Sequence, residues 1–226
     1  MCFSATVSFA AAGVLVVAGG AALHRARRLR LGAGMTAFAA FPLLFGVQQG
    51  IEGLVWLVVD GVLPPVWEPW TTAAFLFFAL FLWPVAGPVV GWMLETGPGR
   101  RHAFAAIAAA GVALGIYLFG KALANPVPPS AGAAYGGHLL YLFGLRFPLG
   151  IEFFYFLVAG AAMVGSSNPD ARLFGWGLAV SFLATALLWD PAVLPSVWCF
   201  FAAICSLIAV RAVARADRRR GGVPAP

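Results

Sequence analysis

Charge is what this sequence has least of. Lys, Arg, Asp and Glu together make up 10% of it, against 62% apolar residues. Such a chain cannot cover itself with a water-facing surface, which excludes an ordinary soluble domain and makes lipid its natural solvent. Acids are scarcer than bases, eight against fourteen. The bases fall in short clusters between long apolar runs, a pattern that orients helices in membranes and argues against a nucleic-acid partner. Cysteine is nearly absent: Cys2, Cys199 and Cys205 form no CxxC pair and no even-numbered framework, so neither a zinc knuckle nor a disulfide scaffold is indicated. The three histidines are His24, His102 and His138, and a solvated position is the expectation for each. A cleavable leader is not expected either, because the basic cluster from His24 to Arg30 follows the first apolar run instead of preceding it.

What is present is a series of apolar runs. Crossing about 30 Å of hydrocarbon takes about 20 helical residues. Seven runs meet that requirement, at Ala5 to Leu23, Met35 to Val59, Thr71 to Met93, Ala103 to Gly120, Phe147 to Val164, Leu173 to Trp189 and Ala192 to Val210. They are apolar throughout, whereas the strands of a membrane barrel would alternate. The expected fold is therefore an all-α bundle of seven transmembrane helices over residues 1–213, followed by a loose basic tail at 214–226. Twelve of the fourteen Lys and Arg follow the odd-numbered runs, and only Lys121 and Arg146 fall on the other side. This asymmetry predicts an N-terminus outside and a C-terminus in the cytoplasm. Trp67, Trp70 and Trp189 near the outer face, and Trp92 and Trp176 near the inner, suit interfacial belts. Between Lys121 and Arg146 the run Asn125-Pro-Val-Pro-Pro-Ser forbids a helix, and His138 to Phe147 could form a short interfacial helix or lid.

Small residues four apart, Gly46 and Gly50, Gly87 and Gly91, Gly111 and Gly115, predict close helix packing. Pro42, Pro84, Pro88 and Pro195 interrupt the backbone ladder inside spans; the carbonyls they free must be satisfied by a kink, a water or a hydroxyl.

The most informative stretch runs from Pro42 to Trp56. Gln48, Gln49 and Glu52 share roughly one helical face, because they are separated by three and four residues. A carboxylate at membrane depth costs about 2.5 to 3.5 kcal/mol on insertion scales, so this face should point into the bundle or a wet cavity. Glu152 is the second acid inside a span and Asp190 ends the sixth run. An outward-facing polar cavity lined by Gln48, Gln49, Glu52, Glu152 and Asp190 is the expectation; the plainer alternative is that these acids only fasten helices together. Removal of Met1 would make Cys2 an N-terminal thiol beside a free amine, able to act as a nucleophile or bind a soft metal.

The opening Met-Cys-Phe-Ser-Ala-Thr-Val-Ser-Phe and the stretch from Pro42 to Leu57 resemble an uncharacterised family of bacterial membrane proteins whose chains begin Met-Cys-Phe-Ser-Ala. That resemblance implies the bacterial cytoplasmic membrane and supplies no activity. A retinal protein of the microbial type would need a lysine in the last span, and Ala192 to Val210 has none. A ceramidase-like zinc site would need several histidines where only His138 is available outside. The sequence names no cofactor and no confident metal site. Its partners are the lipid bilayer and, in the favoured reading, a small polar solute, a cation or a proton; an enzyme using the same carboxylates, or a structural membrane protein, are the alternatives.

Overall fold

The computed structural model describes residues 4–132, 138–141, 148, 150–188 and 194–221. Cys2, Arg146, Trp189 and Asp190 lie outside the described residues.

Helix α1 spans Ala5–Arg28, opened by Ser4, whose hydroxyl accepts the Val7 N–H at 3.3 Å. It ends in Arg25, Arg27 and Arg28, cations that suit the negative end of the helix dipole. A short helix α2 (Ala33–Ala39) is separated from α3 (Phe41–Val59) by Ala40. Pro42 stands in the first turn of α3, where its missing N–H leaves no bond unmade. The next rod begins with a 3₁₀ turn at Pro65–Trp67, continues as α4 (Glu68–Leu76), widens into a π-helical segment at Phe77–Leu82 and ends as α5 (Trp83–Leu94). The wide turn lies directly before Pro84, a place where a proline disturbs the ladder. The hydroxyl of Tyr155 donates to the Ala79 carbonyl at 2.5 Å, supplying the partner that such a segment needs.

Beyond these lie α6 (Pro98–Ala124), strands β1 (Ser130–Gly132) and β2 (His138–Leu140), then α7 (Ile151–Val164), α8 (Pro169–Leu188) and α9 (Leu194–Gly221). Among the described residues six helical rods are long and apolar enough to cross a membrane, which supports a multi-pass membrane protein. The fifth expected span is shorter: the 14 residues of α7 reach about 21 Å at 1.5 Å per residue. The expected loose tail differs as well, since α9 stays helical as far as Gly221.

Glycine brings these helices into contact. A Cβ at Gly19 would sit 2.2 Å from the Leu43 nitrogen, and one at Gly46 2.8 Å from the Val16 nitrogen, so α1 and α3 touch backbone to backbone. Gly87 meets the Ala159 carbonyl of α7 and Gly111 meets the Pro84 carbonyl of α5, at 2.3 and 2.0 Å from the same imagined Cβ. Gly50 departs from the expectation, with its nearest neighbour, the Ala12 Cβ, at an ordinary 3.8 Å.

Residues 138–140 of the expected interfacial helix or lid form a strand; 142–147 lie outside the described residues. Ser130 pairs with Leu140 and Gly132 with His138, antiparallel. β2 packs on α9, and Tyr141 stacks on Phe75 of α4 with ring centroids 4.2 Å apart. His138 is buried, at 2% exposure, not solvated, and burial holds its imidazole below the usual range.

The opposite, arginine-rich end also carries acids paired with its bases. Asp170 of α8 pairs with Arg215 of α9 at 3.0 Å, and Asp217 of α9 pairs with Arg25 of α1. Glu95, between α5 and α6, is 1% exposed. It accepts the backbone N–H groups of Thr96, Gly97 and Ser167 at 3.0 to 3.1 Å and the Ser167 hydroxyl at 2.9 Å, with Arg100 at 3.4 Å. Burial alone would raise its pKa, but these donors and the guanidinium outweigh it and bring the group down to about 2.

Candidate functional site

The polar face of α3 is folded into the bundle. Gln48, Gln49 and Glu52 are each 0% exposed, and spacings of three and four residues aim them the same way. Glu52 is held at both carboxyl oxygens: Gln49 Nε2 donates to Oε2 at 3.1 Å and the Ser196 hydroxyl donates to Oε1 at 2.7 Å. The second bond ties α3 to the first turn of α9. Gln48 turns to α5, where its Oε1 accepts the indole N–H of Trp83 at 2.7 Å. Trp83 is fixed further by stacking on Phe45 at 3.7 Å. Phe45 precedes Gln48 by one helical turn, so one face of α3 grips the indole through both its ring and its nitrogen.

Cys199 stands one turn after Ser196 on α9, buried beside Gln48. A small cavity of about 30 Å³ adjoins this group, walled chiefly by Phe41, Phe45, Trp83, Tyr155, Trp198 and Cys199. Its walls are aromatic and aliphatic, so it is a dry space next to the polar cluster and not the cluster's own opening.

The cluster is rich in unspent hydrogen-bonding capacity. Among the described residues Ser8 Oγ, Gln48 Nε2, Gln49 Oε1 and Trp56 Nε1 are buried without a hydrogen-bond partner; Gln48 has only the thiol of Cys199 beside it, a weak group. Gly46 faces Val16 and Gly53 faces Phe9, an antiparallel register that sets Ser8 within a turn of Glu52. Trp56 lies one turn beyond Glu52 on α3. Native interiors leave few such atoms unmatched, and three of these four lie on the stretch of α3 from Gln48 to Trp56 that carries Glu52.

The expected cavity residues are thus divided. Gln48, Gln49 and Glu52 come together. Glu152 is exposed in the first turn of α7 and makes no hydrogen bond or ion pair with the cluster among the described residues. Asp190 and Cys2 lie outside the described residues. Among the described residues no group of three or more His, Cys, Asp or Glu could hold a metal ion.

Trp83, Ser196 and Cys199 were not anticipated. Only the tryptophan had a sequence signal, a hydrogen-bond donor next to Pro84 at mid-span; Ser196 is an ordinary serine until α9 is laid against α3.

The model of a family of unknown function, DUF6629, matches residues 1–223. Comparison with curated proteins and with solved structures finds no match.

Proposed function

Because the chain belongs to a family of unknown function, DUF6629, kinship supplies no activity, and we propose from the geometry that Glu52 is the binding group of a membrane protein for a proton or a small polar or cationic solute. The protein would lie in a bacterial cytoplasmic membrane with its arginine-rich end inside and the β1–β2 hairpin end outside. The hairpin is then the outer cover of a closed state, and α9, which it touches, also carries Ser196.

One observation carries this reading: a fully enclosed carboxyl group on a stretch of α3 that also buries Gln48 Nε2, Gln49 Oε1 and Trp56 Nε1 without hydrogen-bond partners among the described residues. An enclosed acid is stable in lipid only when it is neutral or matched by a cation, so loading and unloading such a group is a charge-coupled event. The mixture of donors (Ser8, Gln48, Trp56) and an acceptor (Gln49) suits a solute or water that both gives and takes hydrogen bonds. The adjacent Cys199 extends the group towards the dry cavity.

Helix fastening is the competing reading, favoured by the bond between Ser196 and Glu52 that joins α9 to α3. Infrared difference spectra of the protein in liposomes, recorded between acid and alkaline pH, separate the two. The expected result is a protonated-carboxyl band that changes with pH and disappears in Glu52→Gln, together with loss of pyranine-reported proton uptake in that variant. Should Glu52→Leu melt higher than the parent, with the uptake signal unchanged, the acid is a fastener and the binding proposal fails.

A further inference from the structure

A second site lies at the hairpin end, apart from the Glu52 cluster and independent of it. Between α4 and the end of α6 the structure has an open groove of about 460 Å³. Its walls are mostly apolar (Leu76, Ala122, Val127 and the prolines around it), with Glu68, Thr72, Asn125 and Tyr141 as polar exceptions; the Asn125 amide already donates to the Lys121 carbonyl at 2.9 Å. Three observations give the groove a specific chemistry.

Thr72 is 6% exposed, and its hydroxyl has no hydrogen-bond partner among the described residues. Its neighbour Thr71 follows the ordinary course and bonds back to the Trp67 and Glu68 carbonyls at 3.0 and 3.2 Å. Thr72 has no such bond, although the carbonyl one turn back offers the same opportunity. Glu68, one turn before Thr72 on the same helix face, carries a carboxylate that makes no ion pair or hydrogen bond among the described residues. The two groups are four residues apart, a rise of about 6 Å along the groove. Trp67 and Trp70 flank Glu68 and are 52% and 71% exposed; exposed indoles at the end of an apolar rod mark the level of lipid headgroups.

We infer that this groove binds a membrane lipid whose headgroup carries an ammonium, with Glu68 receiving the ammonium, the Thr72 hydroxyl donating to a phosphate or ester oxygen about one helical turn deeper, and the aliphatic wall below holding the start of an acyl chain. The order of the groups fits the depth at which each part of such a lipid sits. The carboxylate excludes headgroups that are only anionic, because it would repel a phosphate that brought no cation with it.

Native mass spectrometry of the full chain, released from detergent with lipids of one acyl composition and different headgroups, reads the preference directly. Phosphatidylethanolamine should be retained over phosphatidylglycerol by about tenfold, equivalent to about 1.4 kcal/mol, and Glu68→Gln should abolish that difference. Glu68 is half-exposed and its replacement leaves the core untouched, so the variant tests the site without depending on refolding. Thr72→Val should weaken retention of both lipids alike. Equal retention of the two lipids by the parent, or an unchanged preference in Glu68→Gln, overturns the assignment. So does equally tight binding of free ethanolamine, which would make the site one for a soluble amine.

Discussion

Glu52 and Glu95 are both hidden from water, and they meet the cost of burial by different means. Glu95 sits at a membrane-end loop, where three backbone N–H groups, a hydroxyl and Arg100 surround its charge. Its ionised form is stabilised, so the sign of its pH effect is determined. The stability it contributes is complete above about 4.5 and is lost as pH falls through about 2. Glu95→Gln should remove about 1.5–3 kcal/mol at neutral pH, the loss typical of hydrogen bonds to a charged group, and flatten the acid limb of a melting-temperature profile. A variant with the parent's acid limb would show that the charge of Glu95 plays no part in holding α5, α6 and α8 together. Glu52 is met by two neutral donors from side chains, Gln49 and Ser196. Its titration is the measurement that decides between binding and fastening.

Among the elements, α5 and α6 show how closely a helix pair can be set by one residue. The backbone of α6 passes so near the Pro84 carbonyl that a Cβ at Gly111 would lie 2.0 Å from the oxygen. Neither partner can yield, since both are main chain. Gly111→Val should therefore cost about 3 kcal/mol, at the upper end of overpacking penalties, and sharply lower the yield of folded protein in fluorescence-detected size exclusion. Gly120→Val on the same helix meets nothing within 4 Å and should behave as the parent. Equal tolerance at the two positions would mean that α6 stands further from α5 than described. The π segment lies immediately before this contact. With Gly111 seated against the Pro84 carbonyl, the widened turn before the proline gives Ala79 a carbonyl that Tyr155 of α7 can reach, so three helices meet at one irregular stretch.

At the scale of the whole molecule, the two ends differ in chemistry. One carries Arg25, Arg100, Arg215 and their acidic partners; the other carries the hairpin, exposed Trp67 and Trp70, and the amphiphilic groove. The positive-inside bias then predicts which end meets the cytoplasm. In a background with Cys2, Cys199 and Cys205 replaced, a membrane-impermeant maleimide applied to whole cells should label Ala131→Cys and leave His102→Cys unlabelled until the cells are opened. The reverse pattern would invert the molecule and place the Glu52 cluster near the inner face.

Helical spans were legible in the sequence because hydrophobicity over about 20 residues is a local property, and six of the apolar runs lie on helical rods of spanning length among the described residues. The shared face of Gln48, Gln49 and Glu52 was legible for a similar reason: the helix period is imposed by the backbone. The helical course of 214–221 and the strand at 138–140 were not legible, because arginine-rich and proline-flanked segments look unstructured until a neighbour satisfies them, as Asp170 satisfies Arg215 and β1 satisfies β2. Which side chains meet Glu52 was decided only by the tertiary structure. Ser196 and Cys199 are more than a hundred residues from it along the chain, and only the packing of α9 against α3, which no local pattern records, brings a hydroxyl within reach of the carboxyl.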